Sequence, residues 1–414
     1  MNPRRCPPSS VIGLSFVLLA SLAACTSADQ HPSGTGTAGS GGGGSGAAGT
    51  GAAGTTGAAG TTGAAGDAAG TGSAGTTGAA GVTGAAGIAG GAGTVGSTGT
   101  AGTGAGGTAA AGTTGAAGTG ATTGTQADPG TTGDGTFQFD PPYNLAPESV
   151  TLMAGAKMGK TLGPFKHTLT GTYTGWSQWV FTYYVFVPAE YQAGHPAALM
   201  VFNDGYLYAG INSLTDSRFN APYVIENLIH EGTMPVTIGV FIFPGTNDGH
   251  QVGGGDAGRS TQYDTPNDQY GKFLREEFLP TEILNKYDVV TDPDGWAMAG
   301  HSSGGIASII AGWYHPDRWR KLLTASPSFP NKGGKFPNEF KTAPAKPLRI
   351  YHLSGTMDLS GFRAANDSAA MILQGLGYHD RYMQVIDMHY PPKAAMADFA
   401  NAMRWMWRGY QLPE

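Results

Sequence analysis

Gly300-His301-Ser302-Ser303-Gly304 is a G-x-S-x-G motif closing an apolar run, and it is the segment of the chain best suited to chemistry. A serine on a sharp strand-to-helix turn needs small residues two before and two after it, because larger side chains there would collide. Gly300 and Gly304 hold those places, with Gly305 behind them. A serine hydroxyl is a weak nucleophile, so it needs a base within hydrogen-bond reach and a carboxylate to fix the base's tautomer. With a serine of this kind the acid and then the histidine follow along the chain. His315, His352, His379 and His389 are the histidines after the motif. His315 sits in the helix exit His-Pro-Asp, His352 lies inside an apolar strand, and His379 precedes the last strand, at the wrong end of a sheet. His389 directly follows that strand and precedes a C-terminal helix, which puts it on the same edge as Ser302. Asp358 follows the strand Leu348 to Leu353 by a Ser-Gly-Thr-Met turn, again at a carboxyl end. Asp387 is the rival acid, but within a strand its side chain is aimed by the pleat. Ser302, Asp358 and His389 are therefore the expected nucleophile, acid and base. The oxyanion needs donors where its charge develops. The Ser303 N–H is one, and the turn Asn203-Asp204-Gly205-Tyr206 supplies the other, assigned to Tyr206 with Gly205 as the close rival.

These residues need a frame. Trp296 to Ala299 reads as a short buried strand opened by Asp292-Pro293-Asp294-Gly295, and Ile306 to Tyr314 as the helix packed on it. Further strands are expected at Gln178 to Pro188, Ala198 to Phe202, Val236 to Phe243, Leu348 to Leu353 and Tyr382 to Met388. Helices are expected at Ala221 to Glu231, Gln269 to Tyr287, Ser303 to Tyr314, Ala364 to Leu376 and Lys393 to Arg408. Short apolar strands alternating with helices imply an α/β fold with a mainly parallel central sheet and helices on both faces. In such sheets a site lies beyond the carboxyl ends of the strands.

The rest of the chain is of another composition. Residues 1–24 carry Arg4 and Arg5, an apolar run from Val11, and small residues before Cys25. That is the pattern of a secretory signal, too short to span a membrane. Its ending Leu22-Ala23-Ala24-Cys25 resembles the bacterial lipobox, which implies lipidation of Cys25 and, with Thr26 rather than an aspartate next, attachment at the outer membrane. Cys6 is the only other cysteine and would leave with the signal, so the exported part has no disulfide. Residues 25–136 are almost wholly Gly, Ala, Thr and Ser. Glycine recurs every third residue from Gly51 to Gly66, but proline is scarce and Asp67-Ala68-Ala69-Gly70 breaks the phase, so collagen is excluded. The segment lacks apolar side chains to offset chain entropy and reads as a flexible linker with a reach of about 55–60 Å. Residues 137–414 remain as one domain. The linker's near neutrality argues against nucleic-acid binding.

Longer stretches carry a resemblance. YYVFVPAEY (183–191), VFNDG (201–205), APYVIENLIHEGTMPVTIGVFIFPG (221–245), GHSSGG (300–305) and AMRWMWRGY (402–410) resemble the putative-esterase family of α/β-hydrolases. That family includes enterochelin esterase and esterase D and is related to feruloyl and acetylxylan esterases; the enterochelin-esterase-like branch is the most similar. The resemblance implies Ser302, Asp358 and His389 as the catalytic residues. Two departures imply a remodelled pocket. His389-Tyr390-Pro391-Pro392-Lys393 stands where relatives carry His-x-Gly-Lys-His, and Gln262-Tyr263-Asp264 where they carry Glu-Tyr-Asp.

Other features point elsewhere or nowhere. Gly253 to Gly258 satisfies G-x-G-x-x-G but lacks an adjoining strand and helix, so it is not a dinucleotide site. Neither H-E-x-x-H nor paired C-x-x-C occurs to build a zinc centre. The segment Gly245 to Tyr263 reads as a long loop shaping a substrate cleft, where Arg259 either meets an anionic substrate or is solvated. Trp313, Trp319, Trp405 and Trp407 read as packing residues. The expected function is a surface-tethered serine carboxylic-ester hydrolase without a cofactor, acting on a small or polysaccharide-linked ester. Siderophore esters, feruloyl or acetyl groups on polysaccharide, and synthetic esters all fit. An acyltransferase with the same residues, or a non-catalytic binding module on this fold, are the alternatives.

Overall fold

The computed structural model describes residues 123–211, 219–253, 256–390 and 392–414. The expected signal, Cys25 and the linker as far as residue 122 lie outside them. The strands are β1 (Thr125–Gln126), β2 (Gly135–Phe139), β3 (Lys160–Thr168), β4 (Val180–Val187), β5 (Ala198–Asn203), β6 (Thr237–Ile242), β7 (Trp296–His301), β8 (Lys321–Ala325), β9 (Arg349–Met357), β10 (His379–Met388) and β11 (Tyr410–Gln411). The α-helices are α1 (Pro147–Val150), α2 (Ala221–Glu231), α3 (Ala257–Tyr263), α4 (Gln269–Phe273), α5 (Ser303–Tyr314), α6 (Glu339–Thr342), α7 (Phe362–Gly375) and α8 (Lys393–Trp407).

Nine strands form one sheet in the order β2-β10-β9-β8-β7-β5-β6-β4-β3. Pairing is parallel from β2 to β6 and antiparallel for β4 and β3. Successive residues of each strand feed opposite faces. Leu199 and Val201 of β5, with Trp296 and Met298 of β7, pack toward the segment from α4, α5 and α7. Met200 and Phe202, with Ala297 and Ala299, pack toward α2 and α8. Strands buried on both sides read as apolar runs, which is why β5, β6 and β7 are visible in the sequence.

The structure differs from the sequence reading at several points. β3 was not expected: it is an edge strand, largely exposed, and carries Lys160, Pro164 and Lys166 in place of an apolar pattern. β8 is short and opens on the buried Lys321. The helix expected from Gln269 to Tyr287 is α-helical only over α4 and π-helical over Leu274–Phe278 and Pro280–Leu284. Pro280 has no N–H for an i→i−4 bond, so the ladder widens around it. The Ser-Gly-Thr-Met segment before Asp358 is the end of β9, not a turn. The expected loop Gly245 to Tyr263 closes in α3.

The domain also begins earlier than residue 137. β1 pairs antiparallel with β11, and the Gly124 N–H donates to Asp292 (2.8 Å). Lys321 Nζ donates to Gln126 Oε1 (2.9 Å) and Arg381 to the Gly133 carbonyl (2.9 Å). Asp134 accepts from His379 Nδ1 (2.8 Å) and from the Trp405 indole N–H (3.1 Å). Residues 124–134 thus form a strap across the amino ends of the strands. Its contacts run through backbone groups and single polar side chains, so no apolar pattern announces them.

Candidate active site

The serine turn is set by its glycines. β7 ends at His301, Ser302 takes φ 57° and ψ −121°, and α5 starts at Ser303. A Cβ at Gly300 would stand 2.1 Å from the Gly304 carbonyl oxygen, and one at Gly304 2.7 Å from Asp204 Oδ2. The turn therefore closes only with glycine at both places. The Ser302 N–H is held by the Ala325 carbonyl of β8 (2.9 Å), and its carbonyl accepts from the N–H groups of Ile306 and Ser328.

Asp358 directly follows β9, with its side chain 1 % exposed. His389 directly follows β10. The two strands are neighbours, and their register shifts between Val385 and Met388. A Cβ at Gly355 would lie 2.1 Å from the Asp387 carbonyl oxygen, so glycine permits this close approach. The irregularity re-aims the end of β10, as bulges beside functional sites do. His389 Nδ1 lies 2.7 Å from Asp358 Oδ1, and Nε2 lies 2.9 Å from Ser302 Oγ. A carboxylate accepts only, so Nδ1 carries the proton and the Nε2 lone pair faces the serine hydroxyl. Burial pushes the Asp358 carboxyl up, but hydrogen bonds from His389, Ser326 and the Leu359 N–H outweigh it and hold it below the usual carboxylate range. Ser354 Oγ also donates to Asp358 Oδ2 (2.9 Å). Phe362 sets its ring edge-on to His389, 5.1 Å between centroids.

The rival residues lie elsewhere. His379 opens β10 at the opposite edge, bound to Asp134. His352 is buried in β9 against Asn366 and Asp380. His315 closes α5 near Asp268 and Arg275. Asp387 accepts from the N–H groups of Met388 and Ala394 and so caps the start of α8. Ser303 is the first residue of α5, where N–H groups have no intrahelical acceptor. Tyr206 lies in the 3₁₀ turn Gly205–Leu207 that follows β5, the neighbour of β7.

Sequence reasoning missed four features here. Arg259 is not solvated: it is buried, lines a cavity beside Ser303, and grips the fully buried Asp204 through Nε (2.8 Å) and a terminal nitrogen (2.6 Å). Asp264 accepts from the hydroxyls of Ser260 (2.7 Å), Ser303 (3.2 Å) and Ser328 (2.9 Å), joining α3 to the serine turn. Gln262 exchanges two hydrogen bonds with the Gly245 backbone, donating to its carbonyl and accepting from its N–H, both at 2.8 Å. A carboxylate could not donate, which gives the departure from Glu-Tyr-Asp a physical reason. The fourth feature, His301, is taken up below. A cavity of about 360 Å³ lined by Asp256, Ser260, Asp264, Asn331 and Lys332 adjoins Ser303. The larger cavity, about 820 Å³ and lined by Thr132, Arg381, Arg404 and Trp405, lies away from the serine turn. Position relative to the polar constellation identifies the site, and volume does not.

Residues 177–380 match the sequence family described as "Putative esterase". Over this stretch the chain is similar to that esterase family. The match contains Ser302 and Asp358 and stops short of His389. Among solved structures, the chain is similar to the CE1 ferulic acid esterase of the anaerobic fungus Anaeromyces mucronatus. Identity is 19 % and the TM-score 0.49, over 64 % of this chain and 96 % of that one. It is also similar to the enterobactin esterase of Shigella flexneri, at 20 % identity and a TM-score of 0.45, over 56 % of each chain. No curated protein matches the chain.

Proposed function

We propose that the chain is a serine carboxylic-ester hydrolase working through an acyl-enzyme on Ser302. The observation that carries this reading is the continuous line Asp358–His389–Ser302, with contacts of 2.7 and 2.9 Å. His389 Nε2 takes the Ser302 proton as Oγ attacks the ester carbonyl carbon, and Asp358 stabilises the imidazolium that forms. The Ser303 and Tyr206 N–H groups receive the oxyanion. Collapse breaks the ester C–O bond, and the departing alkoxide takes the proton from His389. His389 then deprotonates a water, which attacks the acyl-enzyme, and the acid leaves with Ser302 restored. These steps require no cofactor. Ferulic acid and enterobactin esterases among the similar structures make feruloyl and siderophore esters sensible members of a first substrate panel. The proposed location, exported and lipid-anchored through Cys25 at the outer membrane, is supported by the sequence of residues 1–26 alone.

The test is an ester panel with the full-length chain beside Ser302→Ala. Hydrolysis should fall by about three orders of magnitude or more, and covalent labelling by a fluorophosphonate should vanish. Activity within tenfold of wild type would eliminate Ser302 as nucleophile. Product that depends on an added alcohol acceptor would move the reading to acyl transfer.

A further inference from the structure

His301, the residue between Gly300 and the nucleophile, makes a contact that the proposed steps do not use. It ends β7 with 4 % of its surface exposed. Its Nε2 lies 2.8 Å from the backbone carbonyl of His389. A carbonyl only accepts, so Nε2 carries the proton and donates. The two imidazole rings also face each other, with centroids 4.8 Å apart and planes inclined by 41°. His301 therefore grips His389 at two places, the main chain and the ring face, while Asp358 and Ser302 hold it in the ring plane. The grip comes where the chain is otherwise exposed: Met388 and Tyr390 on either side of His389 are 49 % and 53 % exposed.

We infer that His301 is a positioning residue that holds the His389 main chain at the distance from which its Nε2 reaches Ser302. The inference rests on the esterase reading of the site. Its chemistry requires a neutral donor, because a second positive charge against the ring would oppose formation of the His389 imidazolium. Burial, and then the neighbouring His389, push the His301 imidazole down to about 3, so it stays neutral wherever the enzyme is folded and working. Phenylalanine at this place keeps a flat ring against His389 but has no N–H to donate. Glutamine loses the ring and keeps an amide N–H of similar reach. The pair separates hydrogen bonding from packing.

The experiment compares full-length wild type, His301→Phe, His301→Gln and Ser302→Ala. The amplitude of fluorophosphonate labelling counts folded, competent sites, and its rate reads how well the nucleophile is poised. Displacements of an ångström in a catalytic group cost up to about a hundredfold. His301→Phe should therefore lose about ten- to a hundredfold in kcat per labelled site and in labelling rate, with KM within about twofold. His301→Gln should recover most of that loss. The inference is overturned if His301→Phe keeps kcat per site within twofold, if His301→Gln is as impaired as His301→Phe, or if the loss falls on KM. A wild type that neither cleaves an ester nor takes the label sinks the esterase reading itself. An active wild type beside an unimpaired His301→Phe sinks only the role given to His301.

Discussion

The two edges of the central sheet are built on opposite terms. At the carboxyl edge five adjacent strands, β10, β9, β8, β7 and β5, deliver His389, Asp358, Ser326, Ser302 and Asp204 in that order. Three of these take a left-handed backbone although none is glycine: Asp204 at φ 52°, Ser302 at 57° and Ser326 at 44°. Such conformations cost about 1–3 kcal/mol each and persist only where their surroundings over-determine them. At the amino edge the strap binds Asp292, Lys321, Arg381 and Trp405 through hydrogen bonds to residues 168 to 271 positions further along the chain. One edge holds strain for chemistry, and the other supplies long-range ties that keep the strained edge folded.

A histidine taken from each edge should separate the two most sharply. His389→Ala should remove ester hydrolysis by about three orders of magnitude with little change in thermal unfolding. His379→Ala gives up one contact with Asp134, so it should keep its turnover and lose about 2 °C in Tm. The reverse pattern would break the comparison. Next in size is the strap itself. A fragment beginning at residue 123 should hydrolyse esters and unfold like the domain in the whole chain. One beginning at Phe137 loses β1, the contacts of Asp134 and the first two residues of β2, and should unfold a few kcal/mol more easily, since each buried hydrogen bond contributes about 1 kcal/mol. Its kcat should nonetheless stay within about twofold of the longer fragment, as measured where both are folded. Equal urea midpoints for the two fragments would remove the strap from the account. The smallest effect concerns strain. Ser302→Gly and Ser302→Ala both lack the hydroxyl, but only glycine occupies φ 57°, ψ −121° without steric cost. The glycine variant should be the more stable by about 1 kcal/mol in equilibrium unfolding. An alanine variant that matches it would show that the turn is unstrained.

The carboxyl edge was far more legible than the amino edge, for a physical reason. A serine turn needs glycines at fixed spacing, and buried parallel strands are apolar throughout, so Ser302 and the strand ends carrying Asp358 and His389 can be located locally. The structure brings those three residues within hydrogen-bond reach. Features that depend on distant pairing left no such mark. Asp204 and Arg259 are 55 positions apart, and nothing at either place says that each is the other's partner. The strap reads as linker because its glycines and threonines bond through the main chain. β3 hides for a related reason: an edge strand facing water on one side need not be apolar. His301 looked like an incidental letter within G-x-S-x-G until the backbone of His389 was placed beside it.

The strap also decides how the domain responds to force. A pull on residue 123 acts first on the Gly124–Asp292 bond and the two-residue pair β1–β11, then on the contacts at Gly133 and Asp134. Only when these are spent does tension reach β2, the outermost strand, which lies directly against β10. Since β10 carries His389 at its far end, peeling β2 away begins to unload the base. The strap is a fuse in series with the reaction: it yields first, and the site keeps its geometry until the strap is gone.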